Sequence, residues 1–186
     1  MEAFLTSTLL VAVAEIGDKT QLLSFVLAAR LRQPWAIIAG ILVATLANHA
    51  LAGSIGAWLA QLAGPGAMQW VTGLLFIGFG LWALHPDALD DDPQIRRAGA
   101  FVTALIAFFL AEMGDKTQLA TVALAARFDS LAAVVLGTTL GMMLANVPAV
   151  MIGGKLATRL PMQAIRYFAA GLFMLTGALT LLGWPA

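Results

Sequence analysis

Residues Glu15-Ile16-Gly17-Asp18-Lys19-Thr20-Gln21 return 97 positions later as Glu112-Met113-Gly114-Asp115-Lys116-Thr117-Gln118, and Leu27-Ala28-Ala29-Arg30 reappears as Leu124-Ala125-Ala126-Arg127. With one inserted residue the register persists, pairing Leu46-Ala47-Asn48 with Leu144-Ala145-Asn146 and Gly73-Leu74 with Gly171-Leu172. The chain is therefore two copies of one unit. Any fold for it must place the same three charges twice within apolar sequence.

How apolar that sequence is decides the solvent. Of 186 residues, 61% are hydrophobic and 11% charged, and the mean hydropathy is +0.90, well outside the range of soluble globular domains. A hydrocarbon core about 30 Å thick takes roughly 20 helical residues to cross. Six segments qualify, near residues 3–29, 35–59, 68–84, 98–126, 131–156 and 165–182. Trp35, Trp58, Trp70, Trp82 and Trp184 each fall near a segment end, where an indole keeps its body in lipid and its N–H among headgroups. The expectation is an all-α integral membrane protein with six transmembrane helices. Met1-Glu2 lacks a basic leader, so the first segment reads as a span rather than a removable signal peptide.

Other classes fall away on composition. Ten basic residues balance ten acidic ones, which leaves no basic surface for nucleic acid. The absence of cysteine removes disulfides, thiolate metal sites and thiol catalysis.

Three spans per copy is an odd number, so the second copy must enter the membrane from the opposite side. The expected organisation is two inverted three-helix repeats, 1–84 and 98–186, joined by a cytoplasmic loop at 85–97 that carries Asp87, Asp90, Asp91, Asp92, Arg96 and Arg97. Secondary transporters use this plan, with the substrate site at the repeat interface near the bilayer midplane. Arg30, Arg32, Arg96, Arg97, Lys155, Arg159 and Arg166 fall on one side of the predicted topology and Arg127 on the other. The positive-inside rule then sets both termini on the non-cytoplasmic side of the cell (inner) membrane. Three spans per half suffice to enclose a site, so a functional monomer is expected, with a dimer left open.

An ionised residue at a helix centre costs roughly 2.5–3.5 kcal/mol on the insertion scale, so the motif charges must face the bundle interior or a water-filled path. Glu15 and Asp18 are three residues apart, as are Glu112 and Asp115, and on an intact helix each pair would share a face. Gly17 and Gly114 permit either a close backbone approach or a local break. Thr20, Gln21, Thr117 and Gln118 add neutral oxygens. If both copies converge, four carboxylates and several neutral donors form an all-oxygen set suited to hard divalent cations. Four acids against Lys19 and Lys116 leave a formal charge of −2, which one divalent cation or two protons would neutralise. That exchange is the minimal physics of cation/proton antiport. The lysines are read first as ion-pair partners of their own motif's acids, with snorkelling cations and tethered competitors of the substrate as alternatives.

Two copies of E-x-G-D-[KR]-[TS] in two inverted three-span halves resemble the Gdt-type family of manganese and calcium transporters, and the likeness covers the whole chain. Glu15, Gly17, Asp18, Lys19 and Thr20, with Glu112, Gly114, Asp115, Lys116 and Thr117, fall on every fixed position of the signature. The resemblance implies that Glu15, Asp18, Glu112 and Asp115 bind the ion. It further implies Mn2+ or Ca2+ as transported substrate, protons as counter-ion, no resident cofactor, and a prokaryotic-type member lacking the longer acidic loop of eukaryotic relatives.

Asn48 and Asn146 are accessory candidates whose simpler role is an interhelical hydrogen bond. His49, beside Asn48, could ligate a transition metal or relay a proton, but it has no counterpart, since Val147 follows Asn146, and is read first as packed. Two other functions compete. An exporter of basic amino acids or small organic cations could use the same carboxylates on an ammonium group. An intramembrane aspartyl protease could use the two Gly-Asp elements, but such a dyad has no need of paired lysines and matching glutamates, so a non-enzymatic role is expected.

Overall fold

A computed structural model describes residues 1–85, 99–152 and 162–183. The loop acids Asp87, Asp90, Asp91 and Asp92, together with Arg96, Arg97, Lys155, Arg159 and Trp184, lie outside the described residues. Everything described is helix or short connection: α1 (Glu2–Glu15), α2 (Lys19–Leu31), α3 (Pro34–Ala83), α4 (Gly99–Glu112), α5 (Lys116–Arg127), α6 (Leu131–Ile152) and α7 (Met162–Leu181).

The motif determines where helices stop. α1 and α2 have 14 and 13 residues, and α4 and α5 have 14 and 12, each too short to cross a bilayer alone. Each pair is separated by only three motif residues, Ile16-Gly17-Asp18 in the first copy and Met113-Gly114-Asp115 in the second. Gly17 (φ 85°) and Gly114 (φ 75°) take left-handed backbone, which glycine adopts without steric cost. A Cβ on Gly114 would meet nothing within 4 Å, so backbone conformation, rather than crowding, requires glycine there. Of the two options the sequence leaves open, close approach or break, the structure takes the break.

α3 was expected as two spans around the Ala63-Gly64-Pro65-Gly66 connection, the first ending near residue 59. Helix instead continues to Gly64, whose φ of 71° and ψ of 160° divide α3 without a loop. The two limbs, Pro34–Gly64 and Gly66–Ala83, are each long and apolar enough to cross a membrane, as are Leu131–Ile152 and Gln163–Leu181.

Close helix contacts are made at glycines. A Cβ on Gly137 would lie 2.6 Å from the Phe4 carbonyl oxygen, and one on Gly141 2.7 Å from that of Thr8, so α6 runs parallel to α1. The first limb of α3 runs parallel to α4 in the same way, with Gly40 against the Phe101 carbonyl at 2.6 Å and Asn48 bonded to the Phe109 carbonyl. Gly40 and Phe101 are the 97-residue counterparts of Gly137 and Phe4, so the two contacts are one contact made twice with the copies exchanged. The second limb of α3 packs antiparallel on α7, since Gly73 meets Gly177 and Leu181 whereas Gly80 meets Ala170 and Met174.

The cores show the same exchange. Ala3, Leu10 and Ala14 of α1 pack with Ala120 and Leu124 of α5, while Ala100, Ala104 and Phe108 of α4 pack with Leu23 and Leu27 of α2. Phe76, Phe79 and Phe173 extend the first cluster with ring centroids 6.1–6.4 Å apart. Large apolar side chains such as Leu5, Trp35, Leu62, Leu74 and Leu175 are exposed, while Glu15, Thr20, Asn48, Glu112 and Asn146 are buried. A polar interior inside an apolar coat is the distribution expected of a protein solvated by lipid.

Candidate metal centre

The breaks expose helix ends to one another inside the bundle. Glu15 and Glu112 are the last residues of α1 and α4, whereas Asp18 and Asp115 precede the first turns of α2 and α5 with extended backbone. A helix C-terminus carries the negative end of the macrodipole, so each glutamate adds its charge to a place already favourable to cations.

The glutamine of each motif completes the break. The Gly17 amide donates to Gln21 Oε1 at 2.9 Å and the Gly114 amide to Gln118 Oε1 at 2.7 Å, which satisfies N–H groups that the interrupted helices orphan. The side-chain amides then reach across, Gln21 Nε2 to the Ala145 carbonyl at 3.1 Å and Gln118 Nε2 to Asn48 Oδ1. Asn146 Oδ1 accepts from Ser24 Oγ at 2.7 Å, and its amide donates to the Met142 carbonyl of its own helix at 3.0 Å. Gln21, Gln118, Asn48 and Asn146, all accessory ligand candidates on sequence grounds, are thus engaged in holding broken helices to their neighbours.

Glu15, Glu112 and Asp115 come together. Each brings one carboxylate oxygen within 4.8 Å of the other two, and all three are buried. Asp18, the fourth acid expected there, stands outside this trio and is ion-paired with Lys116. Lys19 Nζ lies 3.1 Å from Asp115 Oδ1. The expected pairing of each lysine within its own motif is therefore corrected: each lysine holds the aspartate of the other copy, because the two helix breaks face each other. Asp18 also lines a narrow crevice with Ile16, Gly17, Ala83, Lys116 and Arg166.

The two glutamates are treated differently. Glu15 accepts from Thr20 Oγ1 of its own copy and from Thr117 Oγ1 of the other. Glu112 has no hydrogen-bond donor on either oxygen among the described residues, and its nearest ionisable neighbour of basic character is His49, with Nε2 3.6 Å from Oε2. The crossing of Thr117 to Glu15 and the approach of His49 to Glu112 were not anticipated from sequence. The repeat signals only that the motifs meet, and a residue without a repeat partner carries no such signal.

Comparison with known proteins assigns the chain. The family model for the divalent cation/proton antiporter GDT1 matches residues 3–91 and 100–185. The chain belongs to the GDT1 family. Among GDT1 relatives, a protein of Vibrio cholerae serotype O1 named "Putative manganese exporter" is 50% identical over 181 residues, covering 97% of this chain and 90% of that one. GDT1-like protein 5 of Arabidopsis thaliana is 28% identical over 98% of this chain and 96% of its own length. A GDT1-like protein of Synechocystis is 29% identical over 94% of each. No solved structure matches the chain. GDT1 proteins are a family of divalent cation/proton antiporters, so the expectation of a multi-pass membrane transporter holds.

Proposed function

We propose that this GDT1 protein exports a divalent cation, Mn2+ or Ca2+, in exchange for protons by alternating access of two inverted three-helix repeats. The observation that carries the proposal is the convergence of Glu15, Glu112 and Asp115, one acid from the first copy and two from the second, within 4.8 Å in the protein interior. Three carboxylates so close in a low-dielectric place repel strongly and are relieved by a shared cation or by protons, and either occupant excludes part of the other. Asp18 completes the set when Lys116 releases it. In this reading Lys19 and Lys116 are tethered cations that neutralise the aspartates, and Thr20 and Thr117 orient Glu15. The glutamines and asparagines maintain the breaks.

The six-span topology is supported by helix direction: α1 with α6 and the first limb of α3 with α4 run parallel, and the second limb of α3 runs antiparallel to α7. The exchanged Gly40 and Gly137 contacts support the division into repeats 1–84 and 98–186. We place the protein in the cell (inner) membrane as a monomer, with both termini on the non-cytoplasmic side and the 85–97 loop in the cytoplasm. Family membership favours a metal over an organic cation as substrate.

Proteoliposomes containing the purified chain test this directly. An imposed proton gradient should drive Mn2+ or Ca2+ uptake, and Asp18→Asn and Asp115→Asn should each abolish it. Normal transport by both variants, or saturation by a basic amino acid with indifference to divalent cations, would overturn the reading.

A further inference from the structure

His49 is placed oddly for a packed residue. It lies on the first limb of α3, fully buried, and neither ring nitrogen has a hydrogen-bond partner among the described residues. A buried imidazole ordinarily donates one nitrogen to a carbonyl or carboxylate. The nearest carboxylate, Glu112, presents Oε2 at 3.6 Å, beyond the 2.7–3.2 Å of an N–H···O bond, and both Glu112 oxygens also lack donors. Two unpartnered buried polar groups side by side point to a common third partner.

Resting on the carboxylate-site reading above, we infer that His49 is a further ligand of the transported cation and makes the site selective for a transition cation of the Mn2+ kind over Ca2+. Two ligands at right angles on an octahedral ion, with metal–ligand bonds of about 2.0–2.2 Å, sit roughly 3 Å apart. His49 Nε2 and Glu112 Oε2 need only a small adjustment to reach that separation. Ca2+ takes oxygen ligands, whereas first-row transition cations accept imidazole together with carboxylate. The repeat supplies an internal contrast: Val147 occupies the matching position in the second copy, so the nitrogen enters from one side of the site only.

The test uses the full purified chain carrying His85→Gln, which leaves His49 as the one imidazole of the two histidines in the sequence. With Mn2+ as the probe, pulsed electron paramagnetic resonance should detect nitrogen coupling to the bound ion, and the coupling pattern should change when histidine is labelled with 15N. Adding His49→Gln should remove the coupling and weaken Mn2+ binding about ten-fold or more while changing Ca2+ binding by less than about three-fold. Bound Mn2+ without histidine coupling overturns this inference and leaves the carboxylate site standing. No bound Mn2+ at all overturns the carboxylate site and the inference with it. Because the labelling experiment needs no change at His49, it decides the matter even if His49→Gln does not fold.

Discussion

The two copies of the motif have nearly the same sequence and the same backbone, yet their glutamates live in different surroundings. Both helices break at a left-handed glycine, both glycine amides are taken up by the glutamine four residues on, and both lysines reach the opposite aspartate. The backbone frame is symmetric. Glu15, however, is held by two threonine hydroxyls, one from each copy, while Glu112 faces the unrepeated His49. Duplication supplies the frame twice, and the residues outside the repeat are free to give each half its own chemistry. A transporter gains from this, because one half can fix geometry while the other exchanges ligands.

Neutralising the two glutamates in turn tests that asymmetry with the largest expected effect. Removing one partner of a buried charge interaction costs about 2–5 kcal/mol, or roughly 30-fold and upward in Kd. Both Glu15→Gln and Glu112→Gln should lose Mn2+ binding on this scale in a calorimetric titration. Glu112→Gln should lose more, because its carboxylate has no competing donors among the described residues, whereas an amide at position 15 still accepts from a threonine. Equal losses would make the two halves functionally alike and break the comparison.

Next in size is the contrast between the lysines. Lys116 is 5% exposed and Lys19 22%. Breaking a buried ion pair costs about 3–5 kcal/mol, and the cost falls as solvent reaches one partner and screens the pair. Lys116→Met should therefore destabilise the detergent-solubilised protein clearly more than Lys19→Met, read as the fall in Tm. The reverse order would show that solvent reaches the Lys116 side of the site.

Where the copies are alike, they should respond alike. Alanine at Gly40 or at Gly137 would put a Cβ 2.6 Å from a carbonyl oxygen of the facing helix, and overpacking of this kind costs about 1–3 kcal/mol. The two variants should lower Tm by the same few degrees. A large difference would mean that the repeats do not pack equivalently.

Much of this was legible from residues alone. The repeat, its six apolar segments and the glycines at the breaks are local properties of the chain, set by hydropathy and by the φ that only glycine takes freely. The four acids could be named because charge is expensive in lipid. What could not be read is which partner each side chain takes. Lys19 to Asp115 and Thr117 to Glu15 span about a hundred residues of sequence, and periodicity ranks neighbours only within one helix. The glutamines looked like ligands because their oxygens lie near the acids in sequence, but a broken helix also needs acceptors for its orphaned N–H groups, and that local demand takes them. His49 was discounted for lacking a counterpart, which is the property that now makes it informative.

The smallest expected effect separates interhelical glue from ornament. Ser24 and Thr121 occupy matching positions, yet Ser24 Oγ bonds Asn146 of α6 at 2.7 Å while Thr121 Oγ1 bonds the Thr117 carbonyl of its own helix at 2.9 Å. Interhelical hydrogen bonds in membranes contribute about 0.6 kcal/mol on average, because the separated helices also find partners. Ser24→Ala should therefore lower stability by about that amount, and Thr121→Ser, which keeps the hydroxyl, should change it less. A loss above about 2 kcal/mol for Ser24→Ala would exceed what one such bond supplies. It would mean that Asn146, once released, leaves its buried carbonyl unsatisfied and loosens the contact between α2 and α6 on which the first motif's frame depends.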